Sequence, residues 1–97
     1  MELKKTAMAG TVESNDILIT VEPGKEGIKI DLDSPIKKQF GSQMIHVIEE
    51  TLKQLQVDNA NVKAVDKGAL DFVIESRVKA AVFRASEVED YDWGELI

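Results

Sequence analysis

Covalent chemistry has one natural address in this chain. Ser14 stands in the polar break Glu13-Ser14-Asn15-Asp16, directly after the small residues Ala9-Gly10-Thr11-Val12. A serine hydroxyl among small and polar neighbours is open to the attachment of a group by another enzyme. The apparatus for a reaction run by the chain's own side chains is thin: there is no cysteine and a single histidine, His46. No spacing of His, Asp and Glu reads as a metal-ligand set. A reactive group is therefore expected to be attached to the protein afterwards. A plain turn competes for the same residues, since Ser, Asn and Asp bond their own backbone readily.

The remaining polar candidates have structural readings. Ser34, followed by Pro35, suits the N-cap of a helix whose first position takes the proline. His46 falls off the centre of an apolar helical stripe and reads as solvated rather than as a general base. Glu49 and Glu50 are adjacent, do not share a helix face, and read as polar surface. Asp71 complements the dipole of a second helix. Arg77 and Arg84 form either a basic row facing a partner or pairs with nearby acids. Tyr91 and Trp93, in an acidic tail, either fold back or anchor the chain in another subunit.

The elements that must position Ser14 follow from the hydrophobic pattern. Residues 7–12 are moderately β-prone. Ile17 to Glu22 is a β-branched run, Pro23 to Gly27 a turn, and Ile28 to Asp33 alternates strictly, with Lys29, Asp31 and Asp33 toward water. Ile36, Phe40, Met44, Val47, Ile48, Thr51, Leu52 and Leu55 recur at helical spacing, interrupted by Gly41. Ala60 to Val65 reads as another strand. From about Ala69 a second helix places Leu70, Val73, Ile74, Val78, Ala81, Val82 and Ala85 on one face. The order β-β-β-α-β-α predicts an α+β two-layer sandwich: a small, mostly antiparallel sheet of three or four strands, covered on one face by two helices. Residues 1–97 make one domain, with 1–6 and 87–97 as candidate flexible tails, and the loop at 13–16 is expected to be mobile.

Eighteen acidic against 12 basic side chains give a formal net charge of −6. Phosphate backbones repel such a surface, and no basic stripe offsets it, so nucleic acid is excluded as a partner. No apolar run approaches the length of a membrane span, and the N-terminus lacks a signal core. With no cysteine, the expectation is a cytoplasmic protein.

The segment from Ala9 to Asp16 resembles the N-terminal motif of the citrate lyase acyl carrier protein (gamma subunit) family. Lys38-Gln39-Phe40-Gly41, then Asp66-Lys67-Gly68-Ala69-Leu70-Asp71, then Arg84-Ala85-Ser86 resemble further stretches of that family in the same order. Val21 to Asp33 and the tail after Ser86 match it only loosely. The resemblance implies a non-catalytic carrier with 2'-(5''-phosphoribosyl)-3'-dephospho-CoA on Ser14 through a phosphodiester. The thiol of that arm would hold acetyl and citryl thioesters. The implied partners are the alpha (transferase) and beta (lyase) subunits, a prosthetic-group loading enzyme and an acetylating ligase. The metal needed for cleavage would belong to the lyase subunit, and none to this chain. Glu13 and Asp16 are expected to be recognition acids that meet basic surfaces on those enzymes. Two other readings stay open: the carrier of a sister complex, citramalate lyase or malonate decarboxylase, and an unmodified interaction module of a larger assembly.

Overall fold

The computed structural model describes residues 1–87. Its elements run β1 (Ala7–Gly10), β2 (Ile17–Pro23), β3 (Ile28–Asp33), α1 (Lys37–Gln54), β4 (Ala60–Asp66) and α2 (Asp71–Ser86). That order is the predicted one, and the class is α+β. The four strands lie in the order β1-β2-β4-β3. β1 with β2 and β2 with β4 are antiparallel, while β3 joins β4 in parallel. The parallel pair follows from chain path, since α1 carries the chain back to the same end before β4 begins.

Both helices cover one face of the sheet. Alternation turns Ile17, Ile19 and Val21 of β2, Val62 and Ala64 of β4, Leu32 of β3 and Ala9 of β1 into that layer. α1 answers with Met44, Ile48, Leu52 and Leu55, and α2 with Ile74, Val78, Ala81, Val82 and Ala85. Phe83 is the largest of the fully buried side chains, and it lies off the stripe read from the sequence. Two members of the predicted stripes are not core: Phe40 is 49% exposed and Leu70 62% exposed. Phe40 lies in the first turn of α1, and Leu70 is at the N-cap position of α2.

Local expectations shift at the helix starts and at the N-terminus. α1 begins at Lys37 with Ile36 at the N-cap position. Ser34 instead accepts the Ile36 N–H through its hydroxyl (3.2 Å), shaping the turn before the helix. Residues 1–5 are held rather than loose. Leu3 is buried, the Met1 ammonium donates to the Leu55 and Gln56 carbonyls, and the Lys4 and Lys5 N–H groups share the Ala85 carbonyl. Tyr91 and Trp93 lie outside the described residues. Among the described residues no helix is long and apolar enough to cross a membrane.

Candidate functional site

Ser14 projects from the hairpin loop that joins β1 to β2. The Asp16 N–H donates to the Glu13 carbonyl (3.2 Å), closing a four-residue turn with Ser14 and Asn15 at its corner. Asn15 has a φ of 66°, a left-handed conformation that Asn tolerates at the third position of such a turn. Gly10, at the root of the loop, has a φ of 100°, and a methyl there would collide with the Ile17 carbonyl. The two ends of the loop meet too closely for any side chain.

The loop is stapled from two distant places. The Asn15 N–H donates to the Lys67 carbonyl (2.8 Å), and the Lys67 N–H donates to the Asp16 carbonyl (2.9 Å). These bonds extend the β2–β4 ladder one step beyond its Ile17–Asp66 pair. From α2, Arg77 grips the Asp16 carboxylate with both arms of its fork, Nε to Oδ1 at 3.0 Å and an Nη to Oδ2 at 2.8 Å. The Thr11 hydroxyl donates to the same carboxylate (2.7 Å), as does the Ile17 N–H (2.8 Å). Against the expectation of a mobile segment, the loop is thus tied to both layers of the fold. Its ties come from residues 67 and 77, which local composition does not reveal.

The two acids beside Ser14 part company. The Arg77 hydrogen bonds hold the Asp16 carboxyl down, from 3.8 to about 2, with help from Thr11 and the Ile17 N–H and against the opposing effect of burial. Its acceptor sites are largely spent inside the fold. Glu13 is exposed and holds the turn through its backbone alone, its N–H donating to the Thr11 hydroxyl (3.2 Å). Ser14 itself is exposed, and its hydroxyl bonds to no described residue.

A second cluster lies behind the loop. Asp66 is fully buried at the end of β4. Its Oδ2 accepts the Ser34 hydroxyl (2.8 Å) and its Oδ1 the Ala69 N–H (2.9 Å), so one carboxylate joins the entry of α1 to the entry of α2. It also sets the turn at Lys67 and Gly68 that grips the serine loop. Sequence reasoning missed this positioning role. The signal was present in Asp66-Lys67-Gly68-Ala69, a carboxylate three residues ahead of the N–H it accepts. Arg77 and Arg84 do not form a free basic row: Arg77 holds Asp16, and Arg84 donates to the Met8 carbonyl (2.7 Å). His46 is exposed, as are Glu49 and Glu50, and Asp71 is in the first turn of α2, taking the Gln43 amide. Among the described residues no group of three or more His, Cys, Asp and Glu could hold a metal ion.

What this arrangement can do is present one hydroxyl on a pinned turn to an outside enzyme.

Comparison with known proteins bears on the same residues. The family model described as "Malonate decarboxylase delta subunit" matches residues 4–85. The citrate lyase acyl carrier protein of Streptococcus mutans is 55% identical over 97 residues, covering 99% of this chain and 95% of that protein. That of Lactobacillus acidophilus is 57% identical over 90 residues, 93% of each. That of Clostridium perfringens is 53% identical over 95 residues, covering 97% of this chain and 94% of that protein. Among solved structures, a chain of a Pseudomonas malonate decarboxylase hetero-tetramer in complex with malonate shares the fold, with a TM-score of 0.67 at 21% identity over 84% of each chain.

Proposed function

The chain belongs to the citrate lyase acyl carrier protein family, and from that premise we propose that Ser14 is the anchor of its working group. The protein is a non-catalytic carrier subunit of a lyase complex. On our reading Ser14 carries the phosphoribosyl-dephospho-CoA arm through a phosphodiester, for the cleavage of citrate to acetate and oxaloacetate. The observation that carries this is the unbonded, exposed Ser14 hydroxyl on a turn held by the backbones of Glu13, Asn15 and Asp16 and by the Asp16 carboxylate.

The residues fit such a group. The arm supplies a thiol, which a chain without cysteine does not have, and tethering it raises the local concentration of its acyl cargo. The bonds from Lys67 and Arg77 hold the turn at a constant place while leaving the hydroxyl outward. Glu13 is free to meet a basic surface on the loading enzyme, whereas Asp16 already has its cation in Arg77. The partners we assign are the alpha transferase and beta lyase subunits, the loading enzyme and the acetylating ligase.

The test is intact mass after co-expression with the loading enzyme. The wild-type chain is expected to gain one large adduct, and Ser14→Ala none. Glu13→Gln should load more slowly at low salt, the difference closing as salt rises. An adduct that survives in Ser14→Ala refutes the anchor, and no adduct at all favours the unmodified interaction module. The family description and the fold shared with a malonate decarboxylase chain support a second reading, a carrier for that complex. Co-purification with citrate lyase or with malonate decarboxylase subunits separates the two.

A further inference from the structure

Three large apolar side chains stand in water at the two helix starts. Phe72, in the first turn of α2, is 66% exposed and joins the exposed Phe40 and Leu70. Phe40 and Leu70 line a cleft of about 230 Å3, with Ile36 and Met44 as further apolar walls. The Gln43 amide and the Asp71 carboxylate, bonded to each other at 3.1 Å, give it a polar edge. Asp71 is the one charged residue of that lining. The cleft sits against the serine loop: Gly68 belongs to its wall, and a methyl placed there would stand 3.7 Å from the Asn15 side-chain oxygen. Asn15 directly follows Ser14.

The lining decides what such a hollow accepts. Apolar walls disfavour a charged or strongly hydrated group and favour an apolar side chain. The Asp71 carboxylate favours a cation beside it. Exposed phenylalanines around a concavity are, in composition, the core of a protein interface.

We propose that this cleft docks the enzyme that acts on the Ser14 hydroxyl, which seats an apolar side chain against Phe40 and Leu70 and turns a basic one toward Asp71. The inference rests on the reading of Ser14 as the anchor. Position selects this occupant. An enzyme that forms a bond to the Ser14 oxygen has to bring its own surface down on the loop and on whatever adjoins it. A subunit working at the far end of a tethered arm does not. Area agrees, since three exposed side chains offer a few hundred Å2 of apolar surface, against about 800 Å2 per partner in a stable pair. That is too little for a permanent dimer of this chain. It suits an encounter from which the carrier departs once modified.

The test is loading of the full-length carrier by that enzyme, read by intact mass at varied carrier concentration. Leu70→Ser is expected to raise KM about tenfold with kcat little changed, since it removes binding and not chemistry. The fold tolerates it, because Ser is favoured at the N-cap position that Leu70 holds. Phe40→Ala should act in the same direction, and Ala keeps the helix. Asp71→Asn should raise KM about threefold at low salt, an effect that fades as salt rises. Met8→Thr removes a comparably exposed apolar side chain from β1 and should leave KM unchanged. The Ser14→Ala carrier, which offers no hydroxyl, holds the complex before reaction. Adding the enzyme to it should shift the 1H–15N signals of residues 36, 40, 43, 44 and 68–72. An adduct formed at the wild-type KM in both Leu70→Ser and Phe40→Ala overturns the docking and leaves the anchor standing. An equal rise in KM for Met8→Thr, or shifts confined to other residues, overturns it too. Sedimentation that rises with carrier concentration and is lost in Leu70→Ser overturns it in favour of a second copy of the chain. Absence of any adduct on the wild-type carrier overturns the anchor itself, and this proposal with it.

Discussion

Ser14 and Ser34 look alike in sequence, each beside an acid in a polar break between elements, yet the fold uses them in opposite ways. Ser34 is half-buried and engaged: its hydroxyl donates to buried Asp66 and accepts the Ile36 N–H. Ser14 sits at the corner of a turn whose neighbours hold all the bonds, and its own hydroxyl holds none to any described residue. The turn around Ser14 is held together without its hydroxyl. The two sites are also joined in series, since Asp66 anchors Ser34 and the next residue, Lys67, staples the Ser14 turn.

That series connection is most exposed at Asp66. Asp66→Ala strips the Ser34 hydroxyl and the Ala69 N–H of their buried acceptor, for a loss of about 3 kcal/mol. The urea midpoint should fall accordingly, and a loss under ~1 kcal/mol would mean that the two serine regions are not coupled through this carboxylate.

On the Ser14 side the next largest effect is pH-dependent. The Asp16 carboxyl titrates at about 2 in the fold against 3.8 without its partners. Its contribution is complete above the unfolded value and is lost as pH falls from about 4 through about 2. Because Arg77 is 40% exposed, solvent screening trims that contribution to about 1–2 kcal/mol. Arg77→Gln should lower stability by this amount at pH 7 and nearly nothing at pH 2. An equal loss at both pH values would show that Arg77 acts by packing rather than by charge.

Ser34→Ala is the mildest, at about 1 kcal/mol for the hydroxyl lost from Asp66 and from the turn before α1. It should leave the proposed loading at Ser14 intact, whereas Ser14→Ala should abolish that loading without touching stability. If Ser34→Ala also blocked the adduct, the division of labour between the two serines would be refuted.

Legibility from sequence followed the range of the interactions. Strand alternation in Ile28 to Asp33 and the three-and-four spacing of Met44, Ile48 and Leu52 are local signals, and those elements fell where expected. Phe40 and Leu70 obeyed the same spacing yet lie outside the core, because periodicity marks a face but not where the opposing layer ends. At the site, the break around Ser14 was legible as an exposed polar corner. The different fates of Glu13 and Asp16 were not, since Arg77 is 61 residues from Asp16 in the chain.

The sequence by itself determined the order of elements, the family and the exposed polar turn at Ser14, because turn chemistry, hydrophobic period and motif are written in adjacent residues. Only the tertiary structure decided that Asp16 is an internal partner and that Asp66 ties two helix entries together. Each of those depends on the strand order β1-β2-β4-β3, which brings residues 16, 67 and 77 together and which no local pattern encodes.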